Sequence, residues 1–132
     1  MGLYFYLLFS LFCSVGYARI QRITVTGQLA CNNRAVQNVR VELRDHDRFD
    51  PDDSLAITHS GKNGEFTVSG MDDERYDIGP YIRIMHNCMN HGIDPRCTVI
   101  DNYEIPTEFI NKVYDMKIVS LNIEQGRTVE CS

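Results

Sequence analysis

From residue 19 onward the chain alternates apolar and polar side chains with a period of two. In ITVTGQL (23–29), Ile23, Val25 and Leu29 fall on one side of an extended chain, with Gly27 between them. In VRVELR (39–44), Val39, Val41 and Leu43 alternate with Arg40, Glu42 and Arg44. That is the pattern of a strand with one buried and one solvated face in an antiparallel sheet. LAIT (55–58), EFTVS (65–69), YIRIMH (81–86), TVIDNYEI (98–105) and MKIVSLNIE (116–124) predict further strands, and TVEC (128–131) a short last edge. Between LAIT and EFTVS, HSGKNG carries Asn63-Gly64, which predicts a hairpin turn because both residues accept positive φ. PTEFINK (106–112) predicts a turn of helix entered through Pro106. Seven or eight short strands separated by polar turns predict an all-β chain, folded as a two-sheet antiparallel β-sandwich. The sequence has no GxGxxG, P-loop or nucleophile-elbow pattern, so no cofactor is expected.

The first 18 residues break the pattern. MGLYFYLLFSLFCSVGYA holds no charged side chain and ends in the small residues Gly16 and Ala18, with Arg19 next. Its apolar core is shorter than the ~20 residues that span a bilayer. It reads as a signal peptide cleaved after Ala18, leaving one domain at 19–132 with no transmembrane segment, secreted and either free or held at a cell surface. Every charged residue lies in that domain, so the net charge of −5 is unchanged by cleavage. An evenly spread acidic balance argues against a nucleic-acid partner and against simple electrostatic docking on anionic lipid.

Secretion changes the meaning of the cysteines. Cys13 leaves with the leader, and Cys31, Cys88, Cys97 and Cys131 remain. Four cysteines in a small secreted domain predict two disulfides, with three connectivities open. The pair closest in sequence, Cys88–Cys97, closes a short loop worth about 2.5–3 kcal/mol in the chain-entropy argument. It is the preferred pairing and leaves Cys31 for Cys131. The same stretch, IMHNCMNHGIDPRC (84–97), offers His86, Cys88, His91 and Cys97 as a tetrahedral zinc set. The spacing matches no standard knuckle, and a catalytic thiol would have to stay reduced in an oxidising space. The disulfide reading is preferred, and no metal is expected. RDHDRFDPDDS (44–54) gathers Asp45, Asp47, Asp50, Asp52 and Asp53, but it lacks the central Gly and closing Glu of a calcium loop and reads as a solvated turn.

Taken in order, these segments resemble the nematode transthyretin-like family of small secreted proteins. The resemblance is carried by VTGQLAC (25–31), NVRVELRDHD (38–47), DPDDSLA (50–56), NGEFTVSG (63–70), DIGPYIRIMHNC (77–88), DPRC (94–97), EIPTEFI (104–110) and the terminal EC (130–131). It implies a transthyretin-like, disulfide-stabilised sandwich without a general catalytic activity. SGKNG (60–64) stands where the family usually has Thr-Asp before the turn. Related hydroxyisourate hydrolases use a His, Arg, His set and end in Tyr-Arg-Gly-Ser. This chain ends TVECS, and ITVTGQL has no His for the first position. The residues that line the thyroid-hormone channel of transthyretin have no match here either.

Three functional classes follow. The first is a non-catalytic extracellular binding or adaptor module, contacting a cell-surface protein and/or lipid through loops and a sheet face. Its candidate residues are Asp45, Asp47, Asp50, Asp52 and Asp53 in one loop and Asn90, His91 and Asp94 in another. The alternative is a carrier of a small apolar ligand in an intersubunit or intersheet pocket, lined by aromatics such as Phe49, Tyr81, Tyr103 and Phe109. A hydrolase ranks last, because it requires His46, His59, His86 and His91 to converge.

Overall fold

A computed structural model describes residues 19–47, 50–74, 79–123 and 127–132. The expected leader, residues 1–18, lies outside them, as does Phe49. Eleven strands and one short 3-10 turn follow in chain order: β1 Arg19–Cys31, β2 Arg34–Ala35, β3 Arg40–Asp45, β4 Asp53–His59, β5 Glu65–Glu74, β6 Pro80–His86, β7 Cys88–Met89, β8 Gly92–Ile93, β9 Cys97–Glu104, the turn Thr107–Phe109, β10 Val113–Ser120 and β11 Thr128–Cys131.

The strands form two main sheets and a small hairpin. In the first sheet β1 is central, with β10 on one side, while β5 and β2 both pair directly with β1, β5 along Arg19–Gln28 and β2 at Ala30–Cys31. The second runs β11-β9-β6-β3-β4, and β7 pairs with β8 alone. Every described pairing is antiparallel except β1 with β10, which is parallel, with a register shift between Thr26 and Gln28. The last long strand therefore starts at Val113 rather than at 116, and residues 121–123 turn away from it.

The alternation read from the sequence becomes the packing between the sheets. Ile23, Val25, Leu29, Phe66 and Val68 of the first sheet meet Val41, Leu43, Ile82 and Ile84 of the second, each at most 5 % exposed. Gly27 falls on the inner face because the Phe66 ring lies over it, where a Cβ would come within 2.7 Å of the ring.

The Asn63-Gly64 turn does not make a hairpin. It carries the chain from β4 in one sheet to β5 in the other. Gly64 takes φ +80 and its carbonyl accepts the Leu29 N–H at 2.8 Å, which seats β5 beside β1. Buried Ser60 fixes the corner: its hydroxyl donates to the Val36 carbonyl at 2.7 Å and accepts the Val39 N–H at 3.0 Å. Pro106 leads into the predicted turn of helix, realised as the 3-10 turn. Phe109 of that turn packs on Tyr114 with the rings tilted by 55° and their centroids 4.7 Å apart.

Candidate functional site

The cysteine pairing differs from the preferred one. Cys31 bonds Cys88 with Cα atoms 5.9 Å apart, and Cys97 bonds Cys131 with Cα atoms 4.0 Å apart. Sequence proximity misleads because residues 88–93 fold back on themselves: Cys88 lies opposite Ile93, not Cys97. Cys88 points into the core toward the end of β1, while Cys97 opens β9 and faces Cys131 of β11 in register. Both Cys88 and Cys97 are thereby committed, which removes the two thiolates a zinc site in this segment would use.

The four histidines do not gather. His46 contacts Asp52, His86 contacts Asp101 and His91 contacts Asp94, three carboxylates on different elements. His59 sits exposed at the end of β4, opposite Arg40. His86 is the buried one. Its Nδ1 accepts the Cys88 N–H at 2.9 Å, so Nε2 carries the proton and donates to Asp101 at 2.7 Å. Arg127 completes the cluster, donating from Nε to Asp101 at 3.1 Å and from Nη2 to the Leu121 and Ile123 carbonyls at 2.7 and 3.0 Å. Nearby, burial and the Asp101 charge push the Tyr103 hydroxyl up to about 12.

The acidic loop is built into the sandwich rather than held out from it. Asp45 is fully buried and accepts the Gly79 N–H at 2.7 Å. Asp52 accepts from the Tyr81 hydroxyl at 2.5 Å and from the Asp47 N–H at 3.2 Å, and it also meets His46. Tyr81 in turn accepts from Arg44 Nε at 2.9 Å. The Tyr81 hydrogen bond comes first among the contacts that hold the Asp52 carboxyl below its ordinary range. Burial pushes Glu42 up, but Ser54 and the Arg44 and Arg40 charges outweigh it and leave it lowered. Asp45, Asp53 and Asp72 bring carboxylate oxygens within 4.8 Å of one another, a spacing at which they could share a cation. Asp72 belongs to β5, so the loop sequence gave no sign of it. Asp50 is exposed, and Asp47 is half-buried.

The second candidate loop has a different character. Arg96 grips Asp94 with Nε and Nη2 at 3.1 and 3.0 Å, and with its own N–H at 3.1 Å. These bonds hold the Asp94 carboxyl far below the usual range, and His91 adds a contact at 3.3 Å. Asn90 is exposed at the tip. The hairpin stands beside the β1–β2 turn, and between them runs a surface groove of about 600 Å3 lined by Cys31, Asn32, Arg34, Val36, Gln37 and Ile93, among others. Ile93 is 54 % exposed, and the Arg34 and Gln37 side chains make no hydrogen bond or ion pair among the described residues. Sequence reasoning missed 32–37. Its signal is the run Asn32, Asn33 and Asn38, all with positive φ, which turns the chain back under the hairpin.

Of the aromatics expected to line a ligand pocket, the three among the described residues serve packing. Tyr81 is 7 % exposed with its hydroxyl engaged, and Tyr103 and Phe109 lie against the core cluster.

Two facing sheets, a parallel β1–β10 pair and two disulfides define a small disulfide-tied β-sandwich of transthyretin type. A family model described as "TTR-52: Transthyretin-like family" matches residues 26–106. Among curated relatives, Transthyretin-like protein 16 of Caenorhabditis elegans is 39% identical over 115 residues, covering 86% of each chain. Transthyretin-like protein 5 of the same organism is 38% identical over 108 residues, covering 76% of each chain, and Transthyretin-like protein 2 is 30% identical over 115 residues. The chain belongs to the transthyretin-like family.

Proposed function

We propose that this protein is a secreted, non-catalytic binding module that recognises a cell-surface protein and/or lipid. Its contact surface is the end of the sandwich formed by residues 31–37 and the 88–97 hairpin. One observation carries the reading: the groove there combines an exposed Ile93 with an Arg34 guanidinium and a Gln37 amide that have no hydrogen-bond or ion-pair partner among the described residues. A guanidinium beside an apolar side chain is the chemistry that interfaces favour. The Cys31–Cys88 bond ties the two halves of the surface together, so little ordering entropy is lost on contact. The acidic loop supports this choice by contrast, since Asp45 and Asp52 are already bound within the fold.

The separation of the histidines supports a non-catalytic reading, and the packing of the aromatics weighs against the apolar-carrier alternative. The test is a binding survey of the mature, oxidised chain against cell-surface proteins and lipid vesicles, with Arg34→Glu and Ile93→Ser run in parallel. Binding that both substitutions weaken about tenfold supports the surface, a change of about 1.4 kcal/mol. Binding indifferent to both sites places recognition elsewhere.

A further inference from the structure

The two disulfides sit in opposite surroundings. Cys88 is 0 % exposed and Cys31 5 %, so that bond lies inside the sandwich. Cys97 is 4 % exposed, but its partner Cys131 is on the exposed edge strand. All four residues of β11 are exposed, so the strand adds ladder hydrogen bonds and little apolar burial. Beyond the ladder and the disulfide it is held by Arg127 before it and by the Ser132 N–H, which donates to the Arg96 carbonyl at 2.9 Å.

We propose that Cys97–Cys131 is a redox latch: an external dithiol opens it, β11 leaves β9, and the adjoining 88–97 segment loosens while Cys31–Cys88 stays closed. A thiolate of the dithiol attacks Sγ of Cys131, the residue facing solvent. The protein S–S bond breaks, and the Cys97 sulfur leaves and takes a proton. The second thiol of the reagent then attacks the mixed disulfide and releases Cys131 as a thiol. Two electrons and two protons pass to the protein, and the dithiol ends as its own disulfide. The same attack on Cys31–Cys88 is hindered, because Cys31 is only 5 % exposed at the wall of the groove and Cys88 is fully buried.

The latch adjoins the recognition hairpin through short contacts. The Cys97 N–H donates to the Asp94 carbonyl at 3.0 Å, and Asn87 Nδ2 donates to the Cys97 carbonyl at 2.6 Å. Departure of β11 also removes the Ser132 contact from Arg96, whose guanidinium holds Asp94. Control of binding by the latch rests on the function proposed above, whereas the latch chemistry does not.

The test treats the native oxidised chain with graded dithiothreitol, traps thiols by alkylation and maps peptides. Cys97 and Cys131 are expected to reach half-reduction at about tenfold lower reductant than Cys31 and Cys88. Amide hydrogen exchange is then expected to quicken at 97–100 and 128–131 and to hold at 40–44 and 82–84. A Cys97→Ala/Cys131→Ala variant should show that exchange pattern without reductant. Simultaneous opening of both disulfides, earlier opening of Cys31–Cys88, or unchanged exchange at 97–100 after reduction overturns the proposal. A latch that opens as described in a protein that binds nothing would sink the proposed function and leave the latch standing.

Discussion

Arg127→Met is the substitution that tests the interior most sharply. Asp101 and His86 have side chains only 1% exposed, and Arg127 only 7%. The His86 ring is neutral in this geometry, since its Nδ1 already accepts from Cys88 and its single proton goes to Asp101. Arg127 therefore supplies the formal positive charge that faces the Asp101 carboxylate. Methionine fills similar space without that charge, and an uncompensated buried carboxylate costs about 3–5 kcal/mol. A domain of this size has about 5–15 kcal/mol in total, so the variant folds but with much of its margin gone. Urea unfolding at neutral pH reads the loss as a lower midpoint at unchanged slope. Adding Asp101→Asn removes the charge and keeps an acceptor for His86, so the double variant should lose less than about 2 kcal/mol. A single-variant loss below about 1 kcal/mol, or a double variant as unstable as the single, would show that the cluster is not desolvated as described.

Three further outcomes follow from the same geometry. The Tyr103 hydroxyl is pushed up to about 12 by burial, above the ordinary tyrosine value of about 10, so the unfolded chain loses this proton first and stability falls as pH rises between those values; Tyr103→Phe should flatten that alkaline decline in a melting series, and an unchanged decline refutes the assignment. Asp52 is held low chiefly by Tyr81, so its contribution is present above the ordinary carboxylate value of about 4 and is lost as pH falls below it; Asp52→Asn should make the acid limb of melting temperature shallower, and an equally steep limb counts against the clamp. Gly64→Ala places a side chain at φ +80 against the Leu29 carbonyl; it should cost more than about 1 kcal/mol by urea unfolding, and a smaller loss means that the corner relaxes.

Strand parity carried more of this molecule than the loop composition did. Val41, Leu43 and then Asp45 share one side of β3; Ile82, Ile84 and then His86 share one side of β6; Val99 and Asp101 do the same on β9. The alternation that located the core continues through Asp45, His86 and Asp101, which the structure buries, although Asp45 reads by composition as part of a solvated turn. Arg127 was not legible, because it reaches Asp101 from a segment 26 residues away with no periodic signal. Two-residue strands such as Arg34–Ala35 and Gly92–Ile93 are too short to show a period, which hid the groove. Cysteine spacing failed because pairing follows register: Cys97 meets Cys131 across a ladder, and Cys88 turns inward.

The measurement that bears most directly on the proposed function is the affinity of the mature, oxidised chain for cell-surface proteins and lipid vesicles, compared between the parent, Arg34→Glu, Ile93→Ser and an Asp50→Asn control on the exposed part of the acidic loop. The account predicts a partner bound by the parent and the control alike, and about tenfold more weakly by each groove variant. A partner lost with Asp50→Asn and kept by the groove variants, or no partner above background, contradicts it.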